Sequence, residues 1–212
     1  MSERQQGGIF MANTRRPDTL RMVQLAILIA LEAIMAFTPL GFIMIPPISA
    51  TLMHIPVIIG AILLGPLRGG ILGGCFGLFS VIRAMTSGNP GDMLFNPAAS
   101  GNPVGSLVMA ILPRILLGVI AAWLFILLRK AFKGKDLAAI PVAAGVSTIS
   151  HTVMVLGLMW AFFQAVPLKD VFMAVATWSG LMEICAAVIL ATAVCKPLLR
   201  FVRKDAVPAS LS

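Results

Sequence analysis

Charge is what this sequence has least of: Asp, Glu, Lys and Arg supply 11% of its 212 residues, against 59% hydrophobic. A water-soluble domain of this length needs more polar surface than that, and a mean hydropathy of +0.99 excludes one. Cysteine is sparse too. Cys75, Cys185 and Cys195 lie in apolar segments without CxxC spacing, which argues against a disulfide framework or a zinc site and leaves packing as their role. Histidine occurs only as His54 and His151, in different apolar segments. Packing inside the fold is the default reading for both, although His54 stays among the candidate ligand residues. No metal site and no cofactor are expected. GxSxG, HExxH and P-loop patterns are missing, so the chain is not expected to be an enzyme, and energy from ATP has to enter through another chain. Ser150 directly precedes His151, but neighbours on a helix point about 100° apart, which suits no nucleophile and base.

Present instead are long apolar runs. They are unbroken rather than alternating, which points to helices and not to barrel strands. Six spans emerge, at about 20–38, 45–64, 69–85, 104–128, 138–164 and 171–196, each close to the roughly 20 residues that a bilayer requires. The expected fold is an all-α integral membrane protein with six transmembrane helices: a basic segment at 1–19, a membrane domain at 20–196 and a tail at 197–212. The first run carries Glu32 and flows on without a clear cleavage site, so it reads as a retained helix rather than a signal peptide. Between the second and third spans, GPLRGG makes a tight turn, with Gly65 and Pro66 ending one helix.

The net charge of +8 does not indicate nucleic acid, because the basic residues cluster between apolar runs and form no stripe. Thirteen of the sixteen Lys and Arg fall on one side of a six-span chain, leaving Arg83 and Lys169 opposite and Arg114 within a span. The basic side is expected to be cytoplasmic, with both termini there. The opposite side holds an irregular connection at 86–106, TSGNPGDMLFNPAASGNPVGS, where Met93, Leu94 and Phe95 suit a lid or binding loop better than a solvated linker.

Ionisable residues inside spans normally face a bundle interior or an aqueous cavity. Here they are Glu32, His54, Arg114, His151 and Glu183. Arg114, in LPRILLG, either pairs with Glu32 or Glu183 to hold helices together or binds a ligand. Gly69, Gly70, Gly73, Gly74 and Gly77 give the third span overlapping GxxxG patterns that permit close helix approach. Ala26 and Ala30 form a smooth strip on the first span; spacing alone suits a docked partner helix and internal packing equally.

A basic six-span chain with AILIA in its first span, MHIPVIIGAILLGPLRGGILGGCFGLFS across the next two, an outer loop containing FNP, and LPRILLG opening the fourth resembles the substrate-binding S components of energy-coupling factor (ECF) vitamin transporters. The likeness runs from about Leu20 to Lys196 and is greatest to the pantothenate group; His151 stands where an amide is expected of that group. The resemblance implies an S-component bundle in a prokaryotic cell membrane, binding a vitamin near its outer face. It further implies association with a transmembrane coupling protein (the T component) and two ATPases, with lipid around the helices. Ala26 and Ala30 match the coupling-protein contact. If the vitamin is pantothenate, its carboxylate suits the planar fork of Arg114 or of Arg83, with Phe95, Asn96, His54 and Glu183 as further candidate contacts. Alternatives are an S component for hydroxymethylpyrimidine or pyridoxine, folate, cobalamin or riboflavin, a solitary small-solute carrier or channel, and a structural or enzymatic membrane subunit.

Overall fold

The computed structural model of the chain describes residues 16–38, 41–45, 48–86, 90–164 and 178–205. Most of the basic N-terminal segment, Lys169, the start of the sixth span at 171–177 and the tail beyond 205 lie outside them. In chain order come α1 (Arg16–Phe37), β1 (Phe42–Ile45), β2 (Ile48–Thr51), α2 (His54–Leu64), α3 (Pro66–Thr86), a 3-10 helix (Pro90–Phe95), α4 (Pro103–Ala131), α5 (Asp136–Phe163) and α6 (Trp178–Asp205). Helices α1 and α3 to α6 each contain a stretch long and apolar enough to cross a bilayer. The chain is a multi-pass, essentially all-helical membrane protein.

The second span departs from expectation. Its apolar run at 45–64 divides into the second half of a hairpin and an 11-residue helix, which at 1.5 Å per residue is about 16 Å long, half of a roughly 30 Å hydrocarbon core. Pro46 and Pro47 interrupt the run in sequence and cannot supply interior helical N–H groups. The hairpin pairs Phe42 with Thr51 and Ile45 with Ile48 in antiparallel register. Non-helical backbone at membrane depth survives only where protein or a cavity covers it. Apolar on every side, α2 is central: it touches all five other helices, and each of its residues except Leu63 is buried. This is the placement expected of a helix with no polar face.

The hairpin turn between α2 and α3 follows the sequence closely. Gly65 adopts φ 89°, in the left-handed region open to glycine, and Pro66 starts α3 where a missing N–H costs nothing. From there α3 runs against α4 along a glycine seam. A Cβ on Gly69 would stand 2.8 Å from the Gly118 carbonyl oxygen, one on Gly77 would stand 2.9 Å from that of Ala110, and one on Gly73 would collide with the carbonyl of Arg114. Gly70 and Gly74 lie beside this seam, where a Cβ would meet only the side chains of Val119 and Ile115. The overlapping GxxxG pattern is therefore internal packing.

At the basic end of the bundle, α4 closes on Arg129 and Lys130. The Arg129 Nε lies 2.9 Å from Asp136 Oδ1 at the start of α5. Ala187, Ala191 and Cys195 seat α6 in the core, with Cys195 Sγ 4.0 Å from the Ile59 carbonyl oxygen. The helix continues through Pro197 to Asp205, so the expected tail begins inside a helix.

Candidate ligand-binding site

Helix α4 contains Pro113. A proline has no N–H, so the carbonyl four residues earlier, that of Met109, loses its helical partner. Arg114 fills the gap: its Nη1 donates to the Met109 carbonyl oxygen at 2.6 Å. Long side chains on a helix turn back toward its N-terminus, and this one does so toward the end of α4 that meets the 86–106 loop. The guanidinium carbon then lies 5.3 Å from the ring centroid of Phe76 on α3 and 5.0 Å from that of Phe95 in the loop, both within cation–π reach. Arg114 is 7% exposed, and its Nε is buried without a hydrogen-bond partner.

The two carboxylates that the sequence offered as its counter-ions are elsewhere. Glu32 is fully buried on the inward face of α1, among Leu25, Leu28, Ile29 and Ala36, and neither of its oxygens has a hydrogen-bond partner. Glu183 on α6 accepts the backbone N–H of Thr51 through Oε1 at 2.8 Å; it anchors the end of β2. Among the described residues no carboxylate forms an ion pair with Arg114.

Aromatic contacts extend the site across the bundle. Phe76 lies 6.2 Å from the imidazole of His151 on α5, and His151 is stacked on His54 at the start of α2, with centroids 6.3 Å apart and planes 17° from parallel. Arg114, Phe95 and His54 are thus joined in one chain of contacts through Phe76 and His151. Its missing link was His151, set aside as a packing residue; nothing in its spacing distinguishes a packing histidine from one that faces a site.

The described part of the loop, 90–106, is held in place by its own side chains. Arg83, at the end of α3, has Nη2 3.9 Å from Asp92 Oδ2, so this arginine holds the loop. Asn96 donates through Nδ2 to the Ala84 carbonyl at 3.3 Å and accepts the Ala98 N–H at 2.9 Å, which also makes it a loop anchor. Ser106 donates to the Leu94 carbonyl oxygen at 2.7 Å, and Asn102 caps α4 by accepting the Gly105 N–H at 3.0 Å. Met93 points outward while Phe95 covers Arg114. Ala26 and Ala30 are exposed on α1 among the described residues.

Arg114, the rings of Phe76 and Phe95 and the loop segment 90–106 thus lie together in the membrane bundle. Residues 20–197 match the family described as the substrate-specific component of the ECF transporter. The chain is similar to the pantothenic acid transporter PanT of Lactococcus lactis subsp. cremoris, with 36% identity over 157 residues, covering 70% of this chain and 76% of that one. It is also similar to the pantothenate transporter PanT of Leuconostoc mesenteroides subsp. mesenteroides, with 30% identity over 175 residues, covering 76% and 79% of the two chains. Extending from the first span to the last, the match covers every element that carries these residues, and the chain belongs to the substrate-specific components of ECF transporters, proteins of transport rather than catalysis.

Proposed function

We propose that this chain captures pantothenate at the outer face of a prokaryotic cell membrane and delivers it, together with a transmembrane coupling protein and two ATPase subunits, to the cytoplasm. The observation that carries the proposal is Arg114. A buried guanidinium without a counter-ion is costly, and a ligand carboxylate would offset that cost while using the two parallel donors that only arginine offers. Two relatives named for pantothenate transport support the choice of acid. In this reading Phe95 and the loop cover the bound vitamin, and Arg83 and Asn96 hold that cover in place. Glu183 supports the pocket wall through Thr51, and Ala26 and Ala30 meet the coupling protein. Both termini lie in the cytoplasm, on the side of Arg68, Arg129 and Lys130.

Calorimetry on the purified chain in detergent tests the proposal with pantothenate and its alcohol analogue, which lacks only the carboxylate. The wild type should prefer the acid. Arg114→Lys keeps the charge without the fork, and Arg114→Ala loses both, so affinity should fall in two steps, the second reaching roughly ten- to a hundredfold. Equal affinity of the wild type for acid and alcohol would rule out the contact.

A further inference from the structure

Arg114 accounts for one end of a ligand and leaves two polar groups in the same chain of contacts unexplained. His54 is 1% exposed and His151 is 9% exposed, and in each ring Nε2 is buried with no hydrogen-bond partner. One such nitrogen is a defect that packing can tolerate. Here two come from different helices, α2 and α5, with their rings stacked and with Phe76 linking them to the equally unsatisfied Nε of Arg114. Three unsatisfied polar atoms on α2, α4 and α5, linked by one run of ring contacts, outline a polar molecule rather than a packing fault.

We infer that His54 and His151 form a second subsite, which reads hydroxyl groups at the uncharged end of the ligand whose carboxylate Arg114 holds. An imidazole Nε2 donates or accepts according to its tautomer, and a hydroxyl can answer either. Two hydroxyls carried close together on one small molecule can serve two rings whose centroids are 6.3 Å apart. The Phe76 ring touches both His151 and Arg114 and suits the methyl and methylene carbons of the ligand. The inference rests on the pantothenate reading, since that vitamin carries a carboxylate at one end and two hydroxyls flanking a dimethylated carbon at the other. It deepens that reading by assigning specificity among carboxylates to the two histidines.

The test is calorimetry on the full-length chain with three compounds: pantothenate, its alcohol analogue, and a carboxylate with the same carbon skeleton whose two hydroxyls are replaced by hydrogen. The wild type should favour pantothenate over the dideoxy acid by roughly ten- to a hundredfold, because rejecting a ligand that leaves built hydrogen-bonding groups unpaired is what such sites do well. His151→Phe and His54→Phe keep a ring and lose the nitrogens, so each should shrink that ratio while the preference for acid over alcohol, set by Arg114, survives. Variants that fold by thermal melting yet keep the full hydroxyl preference would overturn the inference. So would a wild type that binds the dideoxy acid as tightly as pantothenate, a result that needs no variant to fold. A wild type that binds none of the three compounds overturns the pantothenate reading and the subsite with it.

Discussion

Arg114 and Met109, five positions apart on α4, are joined by a hydrogen bond of 2.6 Å that exists because Pro113 has no N–H to offer the Met109 carbonyl. The proline thus orients its neighbour. Pro113→Ala returns the carbonyl to the helical ladder and frees the guanidinium to take other rotamers. Thermal stability should hold or rise, since an interior proline costs a helix about 3 kcal/mol, while pantothenate affinity falls several-fold. Melting and calorimetry on one preparation separate the two effects; unchanged affinity would mean that the aromatic rings alone position the arginine.

Gly73 and Gly74 offer a matched pair of substitutions. A methyl on Gly73 collides with the Arg114 carbonyl, whereas one on Gly74 makes ordinary contact, 3.8 Å from the Ile115 side chain. Gly73→Ala should lower stability by about 1–3 kcal/mol through overpacking and weaken ligand binding, because the backbone it displaces carries Arg114. Gly74→Ala should be close to neutral. Equal melting temperatures for the two variants would contradict the seam.

Phe95 covers Arg114 at 5.0 Å from the loop. Phe95→Ala removes a cation–π contact worth about 0.5–2 kcal/mol and opens the cover, so dissociation should accelerate roughly two- to thirtyfold. Association should change less. Stopped-flow measurement of both rates checks this, and an unaltered dissociation rate would reduce the loop to a connector.

Ala26 and Ala30 are exposed on the face of α1 opposite its buried residues. Changing both to Leu adds bulk where a partner helix would approach. Cellular uptake should drop while ligand binding to the isolated chain is retained. Parallel loss of both would place the alanines in internal packing after all.

What the sequence conveyed and what it hid divide along physical lines. Helix length and apolarity are local quantities, so the long spans, the Gly65–Pro66 turn and the seam at Gly69, Gly73 and Gly77 were legible. The hairpin at Phe42–Thr51 was not, because a short apolar run reads alike as buried strand or buried helix; the Pro46–Pro47 pair was the available warning. Partner choice is non-local. Glu183 looked like a counter-ion or a ligand contact, but its bond to Thr51 spans 132 positions, and no pattern along α6 announces it. For Arg114 the clue was adjacent: a proline one residue earlier signals a free carbonyl within reach of a long side chain.

The glycine seam bears on electrical behaviour as well as packing. Where Gly69 meets Gly118 and Gly73 meets Arg114, backbone lies directly on backbone, and a gap smaller than a methyl group cannot hold a water molecule. Ions cross membranes through hydrated paths, so none runs through these contacts between α3 and α4. The seam there is an insulator, set beside the buried charge of Arg114.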